Sequence, residues 1–89
     1  MVTSIVLLKV KRDLVNSIAS NLSELNGVTE VYSVAGRYDL AVIIRVKDNE
    51  ELAEIVTNRM LKTEGITDSE TLITFRVYSR HDLESMFAL

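Results

Sequence analysis

The 89-residue sequence has no cysteine, no proline, a single histidine and only three glycines. Without cysteine there is no disulfide, no thiolate metal site and no cysteine nucleophile, which fits a reducing compartment. Glycines at 27, 36 and 65 are too scattered to build a phosphate loop, a nucleophile elbow or a dinucleotide fingerprint. There is no positive excess either. Ten basic residues against thirteen acidic ones give a net charge of −3, so the chain lacks the field that holds a phosphate backbone, and no direct nucleic-acid contact is expected. The longest apolar runs, Ile5 to Leu8 and Leu40 to Ile44, fall far short of the roughly 20 residues that span a bilayer. Met1-Val2-Thr3-Ser4 has no basic region of a signal peptide. The expectation is a cytoplasmic protein with no membrane partner.

What is present is the composition of one ordered domain, 47% hydrophobic and 26% charged. A chain this short buries about 60–65% of its unfolded surface, enough for one core. Val2 to Val10 places Val6, Leu8 and Val10 on one parity and Ile5 and Leu7 on the other, which predicts a central strand. From Leu14 the spacing changes to Leu14, Ile18, Leu22 and Leu25, the stripe of an amphipathic helix, with Asp13 as N-cap and Gly27 as its stop. Val28 to Ala35 alternates as a second strand. Leu40 to Val46, apolar on both parities, is a third. Asp48 followed by Glu51 resembles a capping box and predicts a second helix with the stripe Leu52, Ile55, Val56 and Met60. Glu64 to Asp68 reads as a loop around Gly65, and Ser69 to Ser79 as a fourth strand.

The order strand, helix, strand, strand, helix, strand is the α+β, ferredoxin-like βαββαβ arrangement: an antiparallel sheet with two helices on one face. The domain is expected over residues 1–80, with 81–89 a C-terminal tail or short helix carrying Leu83, Met86 and Phe87. Two helices cover one face only, whereas the first and third strands are apolar on both, so the open face needs a partner and a homodimer is the simplest one.

Few residues invite a chemical reading. His81, beside Asp82, is isolated from other convergent groups and reads as a surface residue. The carboxylates of Asp48, Glu50, Glu51 and Glu54 suit a helix start and a solvated face better than a metal. No cofactor is expected. An RNA-recognition sheet would need exposed aromatics on its central strands, and here only Tyr38 stands near one. The turn from Ala35 to Asp39 is different. Gly36 supplies a tight connection with unpaired N–H groups, Arg37 a guanidinium and Asp39 a carboxylate, a set that suits an amino-acid zwitterion. By residue type alone the plainer reading is favoured, with Gly36 and Asp39 as ordinary turn residues, Arg37 solvated and Tyr38 packing.

Val34-Ala35-Gly36-Arg37-Tyr38-Asp39-Leu40, then Val46-Lys47-Asp48 and Leu52, then Glu64-Gly65-Ile66 ahead of Thr71, resembles the effector-binding RAM domain of the Lrp/AsnC feast-famine regulators. The resemblance covers nearly the whole chain. It implies a transcription-regulatory, ligand-binding domain, dimers packed through the open sheet faces, and further assembly into octamers or decamers. It also implies that a small effector, commonly an amino acid, binds between dimers at Ala35, Gly36, Arg37, Tyr38 and Asp39, with contributions from Ser33 and from Thr71, Leu72, Ile73 and Thr74. Two features depart from the family pattern. The sequence has no helix-turn-helix before the first strand, so a stand-alone form is expected, acting without DNA contact, with full-length Lrp/AsnC relatives as candidate partners. Glu64 stands where the family often has proline.

Two other classes compete with this expectation. A ferredoxin-like dimeric enzyme of the monooxygenase or isomerase type would need polar groups in a cavity between helices and sheet, where the stripes offer only apolar ones. A purely structural assembly partner would bind no small molecule. The sensing reading implies no enzyme activity.

Overall fold

In the computed structural model, which describes residues 1–78 and 80, β1 spans Val2–Val10 and lies inside a four-stranded sheet of order β2-β3-β1-β4. All pairings are antiparallel. The alternation along β1 decides the layering. Ser4, Val6, Leu8 and Val10 are buried, and Val42, Ile44 and Val46 of β3 (Leu40–Val46) are buried on the same side. Ile18 and Leu22 of α1 (Val15–Ser23) join that cluster, as do Leu52, Ile55 and Met60 of the second helical segment. Both helices therefore cover one face, as the ferredoxin-like arrangement requires.

Twelve fully apolar residues make up this core, and Ser4 is the one buried polar residue described. Its hydroxyl donates to the carbonyl of Leu72 at 3.1 Å, which satisfies it across the β1–β4 pair. On the opposite face Ile5, Leu7, Ala41, Ile43 and Leu72 form an apolar strip by register. Among the described residues no helix covers them. Leu72 is 41% exposed. Glu30, Tyr32 and Arg45 edge the strip, with Arg45 Nη1 3.6 Å from Glu30 Oε1 and 2.9 Å from Thr29 Oγ1.

Several boundaries differ from the sequence expectation. Asp13 does not cap α1: it lies within a 3-10 turn, Arg12–Leu14, and Leu14 takes the N-cap place with no side-chain bond. The helix ends at Ser23, before Gly27, because the N–H groups of Glu24 and Leu25 already turn back onto Asn21 and Leu22. β2 is Val28–Ser33, two residues shorter than expected, and its register shifts between Val28 and Glu30. That bulge brings Val28 and Val31 together against the core, where strict alternation would have parted them.

The second helix starts as predicted, with Asp48 Oδ1 accepting the N–H of Glu51 at 2.8 Å. Only its first part, α2 (Asn49–Ala53), is α-helical; Glu54–Met60 continues in π-helical geometry, closed by Leu61 N–H to Val56 O at 2.9 Å. The wider turn brings Met60, five residues after Ile55, fully into the core where Arg59 would otherwise fall.

β4 spans Ile66–Ile73, three residues earlier than expected at its start, and Thr74 to Tyr78 lie outside it. The cause is the partner strand. Thr74 N–H bonds to Thr3 O, and beyond that point β1 has almost no residues left to pair. Gly65 starts β4 at φ +102, and a Cβ there would lie 2.8 Å from Leu14 Cδ1 and 2.9 Å from Ile18 Cδ1. The loop thus seats directly on α1. The expected C-terminal turn of helix, with His81, falls outside the described residues.

Candidate functional site at the β2–β3 turn

Six residues, Val34 to Asp39, connect β2 to β3, and Val34 N–H to Asp39 O at 3.0 Å closes the connection. Gly36 has φ +129, a backbone conformation side-chain-bearing residues rarely adopt, and beyond its chain neighbours no atom of the described residues lies within 4 Å of where its Cβ would be. Glycine is needed here for the chain's path and not for space.

Asp39 anchors the turn. Its N–H donates to Leu8 O at 2.8 Å and its Oδ2 accepts the N–H of Val10 at 2.9 Å. The side chain thereby extends the β1–β3 ladder past its last backbone pair, Leu8 with Leu40. Asp39 is half-buried, and Oδ1 makes no hydrogen bond to any described residue. Tyr38, also half-buried, reaches over β1 and donates its phenol to Glu70 Oε1 of β4 at 2.9 Å. That bond, burial and the neighbouring Glu70 and Asp68 charges push the Tyr38 phenol upward, with Arg37 opposing.

Between these two anchors the N–H groups of Ala35, Gly36, Arg37 and Tyr38 make no hydrogen bond to any described residue, and all of Val34 to Arg37 is exposed. Four consecutive unengaged donors around a glycine, next to a guanidinium, are groups that suit an anion. Asp39 Oδ1 beside them is an acceptor for a cation. Within one short loop the groups thus match a carboxylate and an ammonium.

The other expected site residues lie elsewhere on the sheet. Ser33 ends β2 opposite Leu40 and is exposed, one residue before the turn. Thr71, Leu72 and Ile73 pair with Val6, Ile5 and Ser4, and Thr74 lies beside Thr3. Thr74 is five residues along β1 from Leu8, a distance of about 16 Å at strand rise. Its hydroxyl is already given to Thr3 O at 2.9 Å. A single chain therefore does not bring Thr74 to the turn, while Thr71, opposite Val6, lies on the other face of β4 from Glu70. The β4 residues that do lie beside it are Asp68 to Glu70, and Glu70 was not among the sequence candidates. Neither was Val10, whose backbone meets Asp39.

A separate cleft of about 350 Å³ lies between the end of α1 and α2, lined by Glu24, Leu25, Asn26, Glu51, Glu54, Ile55 and Arg59. It sits at the far end of β3 from the turn, since Ile55 meets Gly27 and Gly27 O accepts Arg45 N–H. Among the described residues no group of three His, Asp or Glu side chains is placed to hold a metal ion. No helix in them is long and apolar enough to cross a membrane.

The family model of the Lrp/AsnC ligand binding domain matches residues 3–83, the turn and all four strands included. The chain belongs to this family. An HTH-type transcriptional regulator of Pyrococcus furiosus, FL11, is 32% identical over 77 residues, which are 86% of this chain and 50% of that protein. The chain spans about half the length of the curated Lrp/AsnC-type relatives of which FL11 is the first. Among solved structures, TTHA0845 from Thermus thermophilus superposes with a TM-score of 0.84 at 44% identity, over 90% of this chain and 100% of that one. A transcriptional regulator of Neisseria meningitidis, NMB0573, solved as an L-Met complex, shares the fold at TM-score 0.80 and 12% identity, over 96% of this chain and 58% of that one. The Lrp/AsnC assignment agrees with the resemblance carried by Val34–Leu40, Val46–Asp48, Leu52, Glu64–Ile66 and Thr71, and the ferredoxin-like architecture with the expected order of elements.

Proposed function

We propose that the chain is the amino-acid-sensing module of an oligomeric transcriptional regulator and binds its effector at the Ala35–Asp39 turn. The observation that carries this reading is the set of four unengaged N–H groups beside Arg37 and the free Oδ1 of Asp39. The N–H groups and Arg37 take the effector carboxylate, and Asp39 Oδ1 takes its ammonium. The neisserial neighbour, solved with L-Met, was bound to a ligand of this zwitterionic class. In this reading Ser33 borders the site, and Thr71 to Thr74 enter it from a neighbouring subunit; Thr74, beside Thr3, lies too far along the sheet to reach it within one chain.

The apolar strip Ile5, Leu7, Ile43 and Leu72 is the homodimer face, and dimers assemble further into octamers or decamers. Regulation runs without DNA contact by this module, whose net charge is −3, and full-length Lrp/AsnC relatives in mixed oligomers supply the DNA-binding function in the cytoplasm. The module is not an enzyme: between helices and sheet the side chains are apolar, and the single buried polar residue described there is internally satisfied.

Titration calorimetry against each of the twenty amino acids tests the sensing reading, and at least one is expected to bind at or below millimolar concentration. Silence across the panel overturns it. Sedimentation equilibrium of Ile43→Asp tests the dimer face: a charge in the strip should leave circular dichroism unchanged and weaken association by at least a hundredfold.

A further inference from the structure

We propose that the Asn26–Gly27 peptide, at the junction of α1 and β2, is a deamidation site in the folded protein, where Asn26 is converted to aspartate and isoaspartate. The proposal is independent of the effector reading, since this junction lies at the far end of β3 from the β2–β3 turn.

Leu25 to Val28 form a turn closed by Val28 N–H to Leu25 O at 3.1 Å. Asn26 takes its second place and is exposed; Gly27 takes its third, with φ +93. Among the described residues only glycines have positive φ, so this is the type II pattern, which calls for glycine at the third place. Packing calls for it as well: a Cβ at Gly27 would lie 2.6 Å from Ile55 Cδ1 and 2.8 Å from Val46 Cγ1. The fold thus requires, after Asn26, the one residue whose nitrogen no side chain shields. The peptide joining the two is also unengaged. Neither Asn26 O nor Gly27 N–H makes a hydrogen bond to any described residue, and the bonds that hold the turn lie on either side, Val28 N–H to Leu25 O and Arg45 N–H to Gly27 O at 2.8 Å. Rotation of this peptide plane breaks no hydrogen bond, and it is the motion that carries Gly27 N toward the Asn26 side-chain carbonyl.

In the reaction Gly27 N attacks Asn26 Cγ and an N–Cγ bond forms. The Cγ–Nδ2 bond breaks, and the side-chain nitrogen leaves as ammonia with the proton that Gly27 N gives up. Water then opens the five-membered succinimide at either carbonyl. Addition at Cγ returns aspartate; addition at the backbone carbonyl carbon gives isoaspartate, whose main chain runs through Cβ. One water is consumed, one ammonia is released and one negative charge is gained. The new carboxylate stands in the cleft that Asn26 lines with Glu24, Glu51, Glu54 and Arg59. The extra main-chain atom of isoaspartate falls inside the Leu25–Val28 turn, where the path from α1 into β2 is closed by a single bond. The other four asparagines, Asn16, Asn21, Asn49 and Asn58, lie in helical segments and precede Ser17, Leu22, Glu50 and Arg59, whose side chains flank the attacking nitrogen.

The test incubates the full chain in neutral buffer, folded and in urea side by side. Peptide mass spectrometry follows the exchange of amide for acid at each asparagine, and labelling by an isoaspartyl methyltransferase follows isoaspartate. In the folded chain Asn26 is expected to react at least about tenfold faster than any of the other four asparagines, a barrier lower by about 1.4 kcal/mol or more. Asn26→Gln, which keeps the amide but forms a five-membered ring no longer, should abolish the methyl label with circular dichroism unchanged. Reaction of Asn26 in urea but not in the folded chain overturns the proposal, and so does a folded-state rate no greater than that of Asn16. Protein enriched in isoaspartate should unfold at lower urea than Asn26→Asp, which carries the charge on an unlengthened backbone. Equal midpoints overturn the predicted effect on the turn.

Discussion

The carboxylate of Asp39 accepts the backbone N–H of Val10 at 2.9 Å, a contact between residues 29 positions apart. One oxygen of this side chain therefore closes the sheet while the other makes no hydrogen bond to any described residue. Two substitutions separate the roles. Asp39→Ala leaves the Val10 N–H half-buried without its acceptor and should cost about 1–3 kcal/mol by urea denaturation. Asp39→Asn keeps an acceptor oxygen and should cost less than half of that, yet it removes the charge proposed to hold an ammonium. Calorimetry should then show ligand affinity reduced at least tenfold in both, with stability lost mainly in Ala. Equal affinity for Asn and the parent would assign Asp39 to the fold alone.

Gly36 and Gly65 both have positive φ, but their surroundings differ. Nothing lies within 4 Å of a Cβ at Gly36, so Gly36→Ala bears only the backbone cost, about 1–3 kcal/mol. At Gly65 the same cost is joined by contacts under 3 Å with Leu14 and Ile18, worth about 1–3 kcal/mol more in a packed site. Chemical denaturation should place Gly65→Ala clearly below Gly36→Ala in midpoint. The order of the two is the prediction, since it depends on the packing of α1 against the start of β4.

How much of this could be read from the sequence follows from where each constraint originates. β1 was legible to the residue because apolar residues fall on both parities within its nine positions, a pattern that needs no knowledge of its neighbours. β4 was not, because its limits are set by where β1 ends, and the alternation of Thr71 to Tyr78 continues after the partner has run out. The bulge near Thr29 leaves no compositional mark, so the faces of β2 were assigned by an alternation that the backbone breaks. At the turn, Gly36, Arg37 and Asp39 announce themselves as residue types. Glu70 does not, since an acid in an exposed strand carries no sign that a phenol 32 residues earlier will reach it.

Asp48 caps α2 with a single bond, Oδ1 to Glu51 N–H at 2.8 Å. Asp48→Ala should cost about 1 kcal/mol, within the usual 0.5–2 range for a lost N-cap, and Asp48→Ser should recover most of it. Thermal unfolding monitored by circular dichroism measures both. A loss in Ala that Ser does not restore would mean that the negative charge at the helix start, and not the hydrogen bond, carries the effect.

The tyrosines give the alkaline behaviour. Hydrogen bonds to Glu70 and Glu30 favour the protonated phenols of Tyr38 and Tyr32 respectively, raising both above the ordinary value of 10.0. The folded state then holds these protons more tightly than the unfolded chain. Their contribution to stability is complete at all pH below 10 and is lost as pH rises through 10 toward the raised folded values. Ultraviolet titration near 295 nm should show Glu70→Gln moving the Tyr38 transition downward, because it removes the adjacent negative charge while keeping an acceptor. Denaturation midpoints between pH 9 and 12 should decline less steeply in Tyr38→Phe than in the parent. If the two decline in parallel, the Tyr38–Glu70 bond does not persist in solution, and the turn is held by Asp39 alone.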